Sequence, residues 1–314
     1  MLKVQKSFWI SIKLLVFVLV VFFFSKQLLK FSRNDFSNLS LSQPSYFIGA
    51  FLLVFLNWGI ELLKWLVTVK LIAPKTSVKA VTQSLLAGIS TGVVTPNRIG
   101  NFIGRMMYFK GKNRGLIIIG TLYGNLAQFI ASACLGSIGL FYLKNDYITH
   151  DYSIFAILFS FFIVVFAVIL YIVYPFASLQ FFTRFKSFQR LSNLIVFFQA
   201  HAKRLLTPLL LFSVIRYFIF VLQFLFVLLS FGVSYSPSLV LALFLLYLLT
   251  TLTPSLLFGK LLVRETVALL ILGTFVSNPA VIIVSSLSLW VINLGIPSLV
   301  GLFYLLRFKR FSAE

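Results

Sequence analysis

Long apolar runs separated by short, basic polar segments set the pattern of this chain from end to end. Runs of about 18 or more apolar residues can cross a hydrocarbon core of roughly 30 Å as helices, and their continuity, without a two-residue alternation, favours helices over barrel strands. The pattern predicts spans at about Ser7–Phe24, Tyr46–Ile72, Leu116–Leu143, Ile154–Tyr174, Leu209–Phe231 and Ala280–Leu306. Two other stretches are less regular. Val78–Lys110 is only half apolar and is cut by Gly88, Gly92, Pro96, Gly100 and Gly104, whereas Pro237–Val276 is apolar but broken by Thr253, Pro254, Gly259, Lys260, Arg264 and Glu265. The expected fold is all-α, a polytopic helical membrane protein with about 6–8 spans. It forms a single transmembrane domain over 1–314, with repeat-like halves at about 46–143 and 209–306.

Composition agrees. Hydrophobic residues make up 60% and charged residues 11% of the 314, against roughly a quarter charged in a soluble domain. The formal charge of +21 would fit nucleic acid if Lys and Arg shared one water-facing surface, but they fall mostly in short loops between apolar runs. Membrane topology and anionic lipid headgroups account for them better, so no nucleic-acid partner is expected. Lys75, Lys79, Lys110, Lys112 and Arg114, then Arg184, Lys186, Arg190, Lys203 and Arg204, and finally Arg307, Lys309 and Arg310 belong inside. The loop with Asp146 and Asp151 and the uncharged link 232–237 belong outside. Lys26, Lys30 and Arg33 run against this pattern. The segment at about 178–205 reads as a basic amphipathic helix on the inner leaflet. No small-x-small site follows the first apolar run, which is therefore a span rather than a cleaved signal. The expected location is the bacterial cytoplasmic (inner) membrane, with both termini cytoplasmic.

Catalytic chemistry finds little material. Cys134 sits in an apolar run and His150 and His201 stand alone in loops, so no metal cluster, nucleophile triad or cofactor site is expected.

The two broken regions resemble each other. Each has an apolar lead-in and a Thr-Pro (Thr95-Pro96; Thr253-Pro254), then a glycine (Gly100; Gly259) and an arginine (Arg105; Arg264). Proline removes a backbone donor and glycine admits close approach, so each predicts a helix interrupted at depth, as a re-entrant hairpin or as two crossings. Paired interruptions in two halves, entered from opposite sides, point to a transporter's midplane site; Pro-kinked ordinary helices are the alternative.

Charge inside the apolar runs sharpens this. Glu61 and Lys64 stand three residues apart on one helix face and can neutralise each other, as a structural pair or a functional one. Arg98, Arg105, Arg216, Lys260 and Arg264 outnumber the carboxylates near them, and the planar guanidinium fork suits phosphate. A phospholipid or polyprenyl-phosphate headgroup would complete the balance; snorkelling to the interface is the competing reading. The candidate headgroup residues are Thr95, Pro96, Asn97, Arg98, Gly100, Asn101, Arg105, Pro254, Gly259, Lys260, Arg264 and Glu265.

The run Thr95–Arg105, with Pro254, Gly259 and Arg264-Glu265, resembles the transmembrane flippase-like region of the lysylphosphatidylglycerol synthase family over nearly the whole chain. Asn101 stands where the family pattern often has Glu. The resemblance implies a lipid-translocating membrane domain, in some relatives moving aminoacylated phosphatidylglycerol between leaflets. It does not imply the synthase reaction, which in those enzymes belongs to a separate soluble domain, and this chain ends at Glu314. The expected function is lipid translocation without catalysis. The alternative is an accessory or scaffold subunit for an envelope lipid or glycan enzyme, with a second copy or that enzyme as partner.

Overall fold

The computed structural model describes residues 39–147 apart from 94 and 112, isolated positions between 159 and 168, residues 189–253 and residues 259–307. The predicted spans Ser7–Phe24 and, almost entirely, Ile154–Tyr174 lie outside the described residues. All regular structure among the described residues is helical: α1 (Pro44–Ile72), α2 (Val78–Val93), α3 (Gly100–Met106), α4 (Asn113–Tyr147), α5 (Gln189–Ser230), α6 (Pro237–Leu252), α7 (Gly259–Leu272), α8 (Pro279–Trp290) and α9 (Ile296–Leu306). Four helical stretches are long and apolar enough to cross a membrane: Pro44–Ile72, Asn113–Tyr142, Arg204–Ser230 and Pro279–Leu306.

Local chemistry explains the boundaries. Prolines at the first turn open α1, α6 and α8, where the missing N–H costs nothing. Ser236 Oγ accepts from Leu239 N at 3.1 Å and Asn278 Oδ1 from Ala280 N at 2.9 Å, each capping a helix start. Gly232, at φ 84°, ends α5 in the left-handed conformation, while the Val233 amide reaches back to the Leu228 carbonyl. The last predicted span is one run with an irregularity: Val291–Gly295 forms a π-turn between α8 and α9. Pro297 cannot donate to the Asn293 carbonyl four residues earlier, which loosens the helix there.

The 42-residue helix α5 revises one expectation. Residues 189–203, expected to belong to a separate surface helix, instead run without a break into the span, carrying Pro208 inside the helix.

α1 is inside-out relative to a soluble helix. Ile48, Leu52, Phe55, Leu56 and Leu63 are exposed, while Asn57, Glu61, Lys64 and Thr68 are buried. Such a surface is stable only against lipid, and the buried polar stripe must then find partners within the protein.

The buried apolar residues divide into two clusters. One gathers α1, α2, α4 and the start of α5 around Trp65, Leu85, Ile117 and Leu209; the other gathers the rest of α5 with α6, α7 and α8 around Phe224, Leu243, Leu272 and Ile282.

A buried cation cluster as candidate functional site

The first broken region folds as a helical hairpin. α2 and α3 are joined by a short 3-10 turn, Pro96–Arg98, in which Asn97 (φ 48°) and Arg98 (φ 59°) are both left-handed. Left-handed backbone costs an L-residue roughly 1–2 kcal/mol, and two in succession persist only where surrounding contacts hold them. Those contacts are visible. Thr95 Oγ1 accepts from the Gly100 amide at 2.7 Å and donates to the Thr91 carbonyl at 3.0 Å, and Thr91 Oγ1 donates to the Gly100 carbonyl at 2.6 Å. A Cβ on Gly100 would collide with the Thr91 carbonyl, and one on Gly104 with the Ala87 carbonyl. The glycines of this region therefore serve helix-to-helix approach, and Thr95 closes the turn.

This hairpin delivers Arg105 to the polar stripe of α1. Arg105 Nη2 lies 3.1 Å from Glu61 Oε1, while its Nε donates to Asn101 Oδ1 at 2.9 Å. Its guanidinium sits 4.3 Å above the Trp65 ring, and Trp65 Nε1 donates to Ser84 Oγ at 2.8 Å. From α5, Arg216 Nη1 reaches Glu61 Oε2 at 2.6 Å. Lys64 Nζ completes the set at 3.1 Å from the same oxygen and lies 3.4 Å from both the Gly124 carbonyl and Ser213 Oγ. Glu61, Lys64 and Arg105 are buried, and Arg216 is partly so.

A second tier orients the first. Arg216 Nε donates to Asn57 Oδ1 at 2.7 Å, and Asn57 Nδ2 donates to Asn293 Oδ1 at 2.6 Å. Asn293 lies in the π-turn and donates onward to the Leu289 carbonyl at 3.1 Å. The irregular turn thus carries a side chain, Asn293, that links the last span to the cluster.

Electrostatically the cluster does not close. Lys64, Arg105 and Arg216 share the single carboxylate of Glu61, which among the described residues leaves two positive charges uncompensated. Arg98 stands within electrostatic reach of Arg216, Glu61 and Arg105, and its Nε is buried with no hydrogen-bond acceptor. Glu61 and Glu265 are the two carboxylates whose side chains are described, and Glu265 serves none of these cations. A buried surplus of guanidinium and ammonium donors is suited to an anion, phosphate above all.

The second broken region lies further along α5. Arg216 sits 5.0 Å from the Phe220 ring and Arg264 sits 5.7 Å from the Phe224 ring, so the two arginines rest on rings one helical turn, or about 6 Å, apart. Tyr247 of α6 bridges both rings, at 6.0 and 6.5 Å. Arg264 Nε and the hydroxyl of Ser285 on α8 are buried without hydrogen-bond partners, while Glu265 lies beside Arg264 and the Ser286 hydroxyl. Pro254 lies outside the described residues, as do the side chains of Pro96 and Lys260; Gly259 opens α7.

Of the candidate residues, the structure brings Arg98, Asn101 and Arg105 together, with Asn97 in their supporting turn, and sets Arg264 on the neighbouring ring. The pairing of Glu61 with Lys64 is present, but as part of a larger set. Asn57, Trp65 and Asn293 do not stand out from motif spacing. A signal able to find Asn57 is the polar stripe Asn57, Glu61, Lys64, Thr68, of which the charge pairing read from the sequence takes in only Glu61 and Lys64; its spacing of four, three and four residues marks one face of an otherwise apolar helix.

No curated protein matches this chain. The family model described as "Lysylphosphatidylglycerol synthase TM region" matches residues 10–301, and the chain, with its interrupted hairpin and membrane-length helices, belongs to that family.

Proposed function

We propose that this protein binds the anionic headgroup of a membrane phospholipid, or of a polyprenyl-phosphate lipid, at the Glu61 cluster and carries it between leaflets without changing it chemically. The observation that carries the reading is the charge surplus: three cations on one buried carboxylate, with Arg98 beside them. Buried ions without partners are costly in a membrane interior, and a phosphate supplies what the described carboxylates, Glu61 and Glu265, do not. Arg98 and Arg105 from the first interrupted region, joined by Arg216, hold the phosphate; Lys260 and Arg264 receive it from the second. The acyl chains stay in lipid while the cavity between the halves opens alternately.

On this reading the chain is a multi-pass protein of the bacterial inner membrane with about 6–8 spans, cytoplasmic termini and two interrupted segments related as an inverted repeat. The Thr-Pro hairpin at Thr95-Pro96 and the division of the core into two clusters support it. A second reading, an accessory subunit of an envelope enzyme, draws on the way Glu61 ties α1, α3 and α5 together, since such a network also serves assembly.

The test is leaflet-to-leaflet movement of fluorescent phospholipids in liposomes containing the purified protein. Movement above that of empty liposomes, lost in Arg98→Ala and Arg264→Ala variants that still fold, is the expected result. Rates equal to empty liposomes across a broad lipid panel contradict translocation and favour the accessory role.

A further inference from the structure

A second feature shares walls with the charged cluster. An apolar groove of about 360 Å³ runs between α1, α2, the π-turn and α9, lined by Phe51, Phe55, Trp58, Leu86, Ile296 and Val300 among others. That volume falls within the roughly 300–1,000 Å³ typical of small-molecule sites. Phe51, Phe55, Ile296 and Val300 are exposed, so the groove opens sideways, toward where lipid surrounds the bundle.

Two structural elements supply both the groove and the cluster. On α1, Trp58, Gly59 and Leu62 line the groove while Asn57 and Glu61 belong to the cluster. In the π-turn, Ile292 lines the groove and its neighbour Asn293 binds Asn57. An apolar slot and a cation surplus thus lie on adjacent faces of the same helical turns, no more than a helix width of about 10–12 Å apart. A molecule that fits both has an anionic head and an apolar chain.

Gly59 adds an independent sign that the space is kept open. A Cβ at this position would meet nothing within 4 Å, and the residue lies in the interior of α1. Glycine there weakens the helix relative to almost any alternative, and neither a turn nor close packing requires it. Its effect is to leave the groove unfilled.

We infer that this groove is an acyl-chain site: it holds one fatty-acyl chain of the phospholipid whose phosphate lies at the Lys64, Arg98, Arg105 and Arg216 cluster. The inference rests on the headgroup reading above and adds to it the chain's position and the protein wall that selects it. Bulk lipid would touch the outer faces of α1 and α5 equally, whereas a chain seated here is held in register with the headgroup.

The experiment uses full-length protein in nanodiscs. The probes are phosphatidylglycerol and diacylglycerol carrying a photoactivatable diazirine on one acyl chain, with crosslinks mapped by mass spectrometry. The probe variant is Gly59→Leu, which adds a side chain to the groove at a position where a Cβ meets nothing within 4 Å. With phosphatidylglycerol, crosslinks concentrate on Phe55, Trp58, Leu86 and Ile296 relative to the exposed Leu211 and Phe218 of α5. In Gly59→Leu they fall by about tenfold, as expected when about two methylenes lose their contacts, while labelling of Leu211 and Phe218 is unchanged. Diacylglycerol labels the groove more weakly than phosphatidylglycerol. Groove labelling that matches the α5 face and ignores Gly59→Leu overturns the acyl-chain site, whatever the translocation assay shows. Labelling that Gly59→Leu abolishes but that is equal for the two probes retains a chain site and overturns the headgroup reading. A change of oligomeric state in Gly59→Leu, with no groove crosslinks in the parent, overturns the inference in favour of a helix from a second copy.

Discussion

Glu61, on the uninterrupted helix α1, and Glu265, on α7 of the second broken region, are both buried carboxylates, yet their surroundings are opposite. Glu61 is held by three cations at 2.6–3.1 Å, drawn from three helices. Glu265, no more exposed, forms no salt bridge among the described residues, and its chain neighbour Arg264 rests over the Phe224 ring. The first half therefore gathers positive charge around one carboxylate and retains a surplus, while the second keeps its carboxylate apart. The two broken regions thus sit in different electrostatic surroundings, and the cation surplus among the described residues lies with the first half and Arg216.

The contrast predicts unequal sensitivity. Glu61→Gln strands three cations, and its cost should be of the order of about 3–5 kcal/mol, the usual penalty for breaking a buried pair. Thermal unfolding in detergent would report it as a large drop in midpoint; a drop no larger than that of Glu265→Gln would dissolve the contrast. The link to the last span is the next most sensitive point. Asn57→Ala and Asn293→Ala each leave a buried amide short of a partner, at about 1–3 kcal/mol, and the double variant should cost less than the sum. Strict additivity would mean that the amide pair does not form.

Arg98→Gly isolates charge from structure. Glycine accepts the left-handed backbone that Arg98 adopts without the roughly 1–2 kcal/mol strain, so stability should hold or rise slightly while lipid movement is lost. Unchanged movement in that variant would remove Arg98 from the site. Glu265→Gln should have the smallest overall effect, within about 1 kcal/mol of the parent or above it, because the substitution discards a buried ion that forms no salt bridge among the described residues.

Sequence patterning reached the helices more easily than the site. Span positions followed from apolar run length, a local signal, and the structure adds that Pro44, Pro237 and Pro279 open their helices. The π-turn was not legible, because it depends on where Pro297 lies relative to a side chain, Asn293, that must reach across to α1. For the site, Arg98 and Arg105 stood out because arginine in an apolar run demands a partner. What no spacing rule supplies is the identity of that partner: Glu61 lies 44 residues from Arg105 and 155 from Arg216, and only tertiary packing brings them together. The glycines were legible as close-approach positions, but the groups that approach them, helix carbonyls at Gly100 and Gly104 and the Asn101 and Arg105 side chains at Gly88, are set by tertiary packing.

The surplus of positive charge around Glu61 is tested most directly by native mass spectrometry of the purified protein, counting phospholipid retained after delipidating detergent washes. The wild-type protein should keep an anionic phospholipid, and Arg98→Gly should lose it while Glu265→Gln keeps it. Equal retention of anionic and zwitterionic lipid in all three proteins would contradict an anion site at the cluster.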